Sequence, residues 1–90
     1  MTTVMTRGIA ERVATDSFFS TLVEASLARF SKEDWGDVDA EDKVANDEAN
    51  ICLAGGFGGR IIASYFADTE YKFWIIRDTI AVTILFPDEY

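Results

Sequence analysis

Half of the sixteen acidic side chains in this sequence fall in one stretch, SKEDWGDVDAEDKVANDE, from Ser31 to Glu48. Carboxylates at that density can do acid–base catalysis as a pair, hold a hard cation through their oxygens, or present a field like that of a phosphate backbone. The first chemistry needs a carboxyl group whose pKa is displaced by burial or by a close neighbour, and these residues sit in a polar stretch that supplies neither. With no His in the chain, the commonest general base and the commonest zinc ligand are both missing. Cys52, the lone Cys, therefore has no imidazole to turn it into a nucleophile. No catalytic residue and no enzymatic activity are expected. For a calcium loop, counting from Asp37 places acids at positions one, three, five and twelve and the apolar Val44 at eight. The sixth position must be Gly for the sharp turn and is Asp42, so no metal is assigned. AGGFGG, from Ala54 to Gly59, lacks the Lys and the Ser or Thr of a phosphate loop, and it runs into a strand-like segment rather than opening a helix. It reads as a flexible connection, and no cofactor follows from it.

These residues must be held by a small scaffold. Ninety residues make one domain, and a hydrophobic content of 49% with 13% aromatic residues is enough for a packed core despite a formal charge of −8. Eight Lys and Arg against sixteen Asp and Glu argue against direct nucleic acid binding, which relies on basic side chains displacing counterions. A basic protein is the expected partner. A single Cys allows no intrachain disulfide and fits a reducing compartment, with Cys52 expected as a small buried apolar group. The start, MTTVMTRG, has no signal-peptide core, and no apolar run approaches the roughly 20 residues of a membrane span. A soluble, cytoplasmic protein is expected, either a monomer or a weak homodimer.

Residues 9–31 carry a helical pattern, with Asp16 as N-cap of a helix whose apolar face holds Phe19, Leu22, Val23, Ser26, Leu27 and Phe30. IAERVA before it is a separate short helix. After a turn at Trp35 and Gly36, Asp39 caps a second long helix from Ala40 to about Leu53, with Glu41 and Asp42 at the positive end of its dipole. At about 100° per residue, Ala40, Val44 and Ile51 form one apolar lobe and Ala45, Ala49 and Cys52 another, with Lys43, Asn46 and Asn50 pointing outward between them. RIIASYF, YKFWIIR and IAVTILF follow, rich in β-branched and aromatic residues and separated by short turns. Ile80, Val82, Ile84 and Phe86 alternate, and Pro87 ends the last run. The expected fold is α+β, with N-terminal helices packed on a three-stranded antiparallel sheet. Its middle strand is apolar on both faces, so a second subunit is one cover for the free side.

A charge run is most often a solvated face that keeps a small domain soluble. Against that, helical acids three or four residues apart stand about 5–6 Å from one another. That is comparable with phosphate spacings in a duplex, which carries one charge per about 1.7 Å of axis. A rigid acidic surface of this kind can occupy a protein groove shaped for DNA.

TRGIAERVA, DWGDVDAEDKVANDEA and VTILFPDEY, as ordered and spaced here (VTILFPDEY from Val82), resemble a family of short acidic proteins encoded on plasmids and phages. Its members carry T-R-G near the start, D-W-G-D with E-D and N-D after it, and a tail like P-E-E-Y. Here Glu33 stands where Gly often precedes D-W-G-D, and Asp88 where Glu is usual. Proteins of this kind include anti-CRISPR inhibitors. The resemblance implies a mobile-element protein that imitates DNA and blocks PAM reading by a CRISPR surveillance complex of type I, contacting an effector subunit through Glu33, Asp34, Asp37, Asp39, Glu41, Asp42, Asp47 and Glu48. Exchanging Glu33, Asp34 and Asp37 is then expected to leave the fold intact. The alternative is a mobile-element regulatory protein that binds a partner through an apolar sheet face holding Ile62, Trp74 and Ile76.

Overall fold

The computed structural model describes residues 2–90. The chain runs β1 (Thr2–Met5), α1 (Arg7–Thr15), α2 (Ser17–Ser31), α3 (Ala40–Ala54), β2 (Ile61–Tyr65), β3 (Phe73–Arg77), β4 (Ala81–Leu85) and a short 3-10 turn, Pro87–Glu89. The fold is α+β, but the sheet has four strands in the order β1-β4-β3-β2, not three. β2, β3 and β4 form the expected antiparallel meander, and β1 joins β4 in parallel with Thr2 opposite Ala81 and Met5 opposite Ile84. TTVM carries no alternating apolar pattern. Its place is set by backbone pairing with a strand nearly eighty residues away, which no local pattern reveals.

Asp16 separates α1 from α2 and serves both. Its N–H donates to Arg12 O (2.9 Å), and its side chain accepts the N–H of Phe19 (3.1 Å), capping α2. That N–H, together with the Arg12 guanidinium 3.1 Å away, holds the Asp16 carboxyl below its ordinary range. The capped helix turns Phe19, Val23 and Ser26 inward. With Ile9 of α1 and Trp35, Phe19 and Val23 meet Ile61, Ala63, Tyr65, Phe73, Ile75 and Ile84 from one face of the sheet. Phe19 packs edge-on to Phe73 and stacks on Phe86, with centroids 5.6 and 5.7 Å apart. Burial of each such large side chain contributes roughly 1.5–3 kcal/mol.

α3 flanks the opposite sheet face at the β2 edge, where Asp42, Ala45 and Asn46 share a groove with Ile62, Ser64 and Trp74. Tyr90 lies edge-on to Trp74 at 5.6 Å, and Arg60 stacks on the Tyr90 ring and donates to its hydroxyl (2.6 Å). Ile76 and Leu85 are buried there. Part of the surface assigned to a second subunit is thus covered within the chain. Ile80 does not join the alternation. It sits in the β3–β4 turn, where the Asp78 carboxylate accepts the N–H groups of Ile80 (2.8 Å) and Ala81 (3.0 Å).

The two ends of the sequence meet at one carboxylate. Glu89 accepts the Thr6 hydroxyl (2.6 Å) and the N–H groups of Gly8 (3.0 Å) and Phe86 (2.9 Å). It thereby caps α1 from 81 residues away, because Thr6 makes no side-chain cap of its own. A Cβ on Gly8 would stand 2.7 Å from Glu89 Oε2, so the T-R-G and P-D-E-Y motifs are two halves of one contact. Glu89→Ala is expected to lower stability by about 1 kcal/mol, the usual loss for a removed cap, while Asp88→Ala changes it little. The Thr6 hydroxyl first, then the Phe86 and Gly8 N–H groups, hold the Glu89 carboxyl below its ordinary value. A carboxyl depressed on folding contributes stability that is complete above its unfolded pKa and disappears as pH falls through its folded pKa. The melting temperature should therefore drop below about pH 4, less steeply in Glu89→Ala than in the parent.

Candidate partner interface

β2 is an edge strand, and its outward backbone groups at Ile62 and Ser64 need partners. The acidic segment supplies them. Trp35, Gly36 and Asp37 run parallel to β2 as a single bridge, with the Ser64 N–H donating to Trp35 O (3.2 Å) and the Asp37 N–H to Ser64 O (2.7 Å). Gly36 has φ +76°, and a Cβ there would sit 2.0 Å from Ser64 O, so only Gly allows the approach. Nearly two turns into α3, the Asn46 amide does the same at Ile62. Its Nδ2 donates to Ile62 O (2.9 Å), and its Oδ1 accepts the Ile62 N–H (3.2 Å). Asn46 is thus buried, where the sequence suggested an outward residue.

Docking through Asn46 decides how α3 is rolled. Ala49, Asn50 and Leu53 share its inward side; the expected lobe of Ala40, Val44 and Ile51 turns to solvent, with Val44 58% and Ile51 73% exposed, and of the second lobe only Ala49 faces in. Cys52 is exposed as well, not the buried group expected from sequence. Val44 and Ile51 are interface candidates that sequence reasoning missed, since periodicity marked them apolar without saying which side faced the sheet.

The eight predicted acids divide by what their oxygens touch. Asp34 accepts Arg29 Nε (2.8 Å), Arg29 Nη2 (3.3 Å) and the Gly36 N–H (3.1 Å); the Arg29 contact is the main reason its carboxyl titrates below the ordinary range. Its carbonyl accepts the hydroxyl of buried Tyr65 (2.8 Å), whose pKa burial pushes up. Asp37 accepts the Ala67 N–H (3.1 Å), and Asp39 caps α3 by accepting the Asp42 N–H (2.8 Å). Asp47 accepts the indole N–H of buried Trp35 (2.9 Å). Glu33 accepts Asn50 Nδ2 (2.8 Å), and Asn50 Oδ1 accepts Arg77 Nη1 at 3.4 Å. These five build the loop, so exchanging Glu33, Asp34 and Asp37 together would disturb the fold, contrary to the expectation from sequence. Glu41, Asp42 and Glu48 accept no hydrogen bond among the described residues.

Glu41 and Glu48 are seven residues apart, so they share a face about 10 Å apart along the axis, beside Val44 and Ile51. The ion pairs among the described residues are Arg7–Glu11, Arg12–Asp16 and Arg29–Asp34. Seven of the eight acids therefore keep their charge without a paired cation. Residues 40–48, where a calcium loop would curl around its ion, are continuous helix. A groove of about 470 Å³ between α3 and the sheet includes Asp37, Asp42, Arg60, Lys72 and Trp74, two acids against two cations. No helix among the described residues is long and apolar enough to cross a membrane. Comparison with known protein families, curated proteins and solved structures gives no match.

Two stability tests follow. Asn46→Leu, close in volume, leaves both Ile62 groups without partners, and a loss of about 2–3 kcal/mol is expected, with a drop of roughly 10 °C or more in Tm. Glu33 has φ +64° at the end of α2, the left-handed conformation that favours Gly. Glu33→Gly should therefore be more stable than Glu33→Ala by about 1 kcal/mol. Equal chemical denaturation midpoints would show that the loop does not hold this conformation.

Proposed function

We propose that this protein is a non-catalytic acidic inhibitor that occupies the DNA-binding groove of a host nucleic-acid-binding complex, using the acidic loop and the outward face of α3. The carrying observation is that Glu41, Asp42 and Glu48 stand exposed and unpaired on a helix fixed to the sheet edge. Such a surface presents negative charge on a backbone that is already ordered, which favours fast, steered association with a basic partner. Val44 and Ile51 beside the acids supply apolar contact that a purely solubilising face would lack. The target class, a type I CRISPR surveillance complex at its PAM-reading groove, rests on the sequence resemblance.

The exposed acids permit a cleaner test than the loop acids. Glu41→Lys, Asp42→Lys and Glu48→Lys combined reverse six charge units without removing a fold-holding hydrogen bond, and the Asp39 cap remains. Circular dichroism should be unchanged. Protection of the purified complex from binding PAM-containing duplex should fall at least tenfold, a loss of about 1.4 kcal/mol or more, and the parent's inhibition should weaken as salt rises. Ile51→Ser should lower affinity while leaving the salt dependence intact. Full inhibition by the triple variant would refute the acidic-groove reading and direct attention to the sheet face with Ile62, Trp74 and Ile76.

A further inference from the structure

One edge of the sheet is sealed and the other is open. β2 is closed by the Trp35–Asp37 bridge and by Asn46, whereas β1 has no neighbour on its outer side among the described residues. Sheets blunt such edges by keeping them short or with charge, Pro or bulges; β1 is short, at four residues, but TTVM carries no charge or Pro. The parallel register, Val4 opposite Thr83, and the Thr6 N–H donating to Ile84 O (3.0 Å) mean that Val4 and Thr6 bond towards β4. The backbone N–H and C=O groups of Thr3 and Met5 therefore point outward.

We infer that β1 is the pairing edge of a symmetric homodimer, in which the β1 strands of two copies run antiparallel about a two-fold axis at Val4. That register places Thr3 of each copy opposite Met5 of the other. Each such pair exchanges two backbone hydrogen bonds, so four close both edges. A shift by one residue would set side chains of opposite faces against each other. At the axis the two Val4 side chains meet on the face opposite α1 and α2, where Val4 is 40% exposed. On the other face, Met5, 47% exposed, lines a mostly apolar groove with Thr3, Val13, Val23, Glu24 and Leu27.

A second copy fits this edge better than a charged partner because the strand itself is uncharged. The acidic segment lies on the far edge, three strands or about 14 Å away, beyond the Debye length of about 8 Å at physiological salt. Dimerisation leaves that surface free, so this inference does not depend on the proposed function. The interface is smaller than the standard size of stable complexes, and the dimer should populate at high protein concentration. Because both copies carry −8, salt should strengthen it, the reverse of its effect on a basic partner.

Directly opposed strand residues at a non-hydrogen-bonded site have Cα atoms about 4.5 Å apart, within disulfide range. In a Cys52→Ser background, which removes the exposed native thiol, Val4→Cys should form covalent dimers under mild oxidation at least tenfold faster than Thr2→Cys. The Thr2 residues of the two copies would be separated by about 13 Å. Sedimentation should show a concentration-dependent dimer that Thr3→Pro abolishes, since its lost N–H faces outward and not β4. If Thr3→Pro does not fold, the cross-linking rates decide alone. Equal rates at the two positions, or a parent that stays monomeric at every concentration and salt, would overturn the dimer, including the case in which β1 pairs with a strand of another protein.

Discussion

The interaction on which the rest of this structure depends is the closure of the β2 edge by polar groups from the segment that precedes it. An exposed strand edge offers unpaired donors and acceptors, and each left buried without a partner costs about 1–3 kcal/mol. At Ser64 the partners are backbone groups of Trp35 and Asp37; at Ile62 both come from the Asn46 amide. These contacts, together with Trp35 in the core, locate the loop and α3 on the sheet. The only side chain of α3 that is fully inside is polar Asn46. Its roll about its own axis is consequently fixed by hydrogen-bond geometry, which has one solution, whereas the weak apolar lobes would have allowed two.

The segments DWGD and ND, with TRG and PDEY at the two ends, are mostly the hardware of this scaffold. In D-W-G-D, Asp34 ties the loop to Arg29, Trp35 fills the core, Gly36 allows the close approach and Asp37 braces Ala67. In N-D, Asn46 seals β2 and Asp47 holds the Trp35 indole. Thr6, Gly8 and Glu89 tie T-R-G to the P-D-E-Y tail. The acids the scaffold does not use are Glu41 and Glu48, which share the outward face of α3, and Asp42, which lies at the groove beside Asn46.

Much of the scaffold was legible because its signals are local. Asp16 and Asp39 read as caps since a short carboxylate before an apolar helical pattern satisfies orphan N–H groups three residues on. The meander read as strands from its β-branched and aromatic runs. What escaped depends on distant chain: β1 is held by backbone pairing with β4, and Glu89 caps a helix at the other end of the sequence. Asn46 was misjudged for a related reason. An amide in a helix reads as surface unless one knows that an edge strand lies beside it with a matching donor and acceptor. The same ignorance hid Val44 and Ile51, whose exposure follows from the roll that Asn46 imposes.

The way the carboxylates are stabilised bears directly on what the charge can do. A cation beside an acid lowers its energy but cancels its field beyond a few ångströms. This chain mostly uses neutral donors instead. Asp37, Asp39, Asp78 and Glu89 accept backbone N–H groups, Asp47 an indole, and Glu33 an amide. Glu41 and Asp42 lie in the first turn of α3, where the helix dipole favours negative charge. Hydrogen bonds and dipoles offset local repulsion and leave the monopole intact. Of the eight acids between Ser31 and Glu48, Asp34 alone is paired with a cation. Neutral groups hold Glu33, Asp37, Asp39 and Asp47, and Glu41, Asp42 and Glu48 are held by none, so apart from Asp34 no neighbouring cation among the described residues cancels the negative field of this segment.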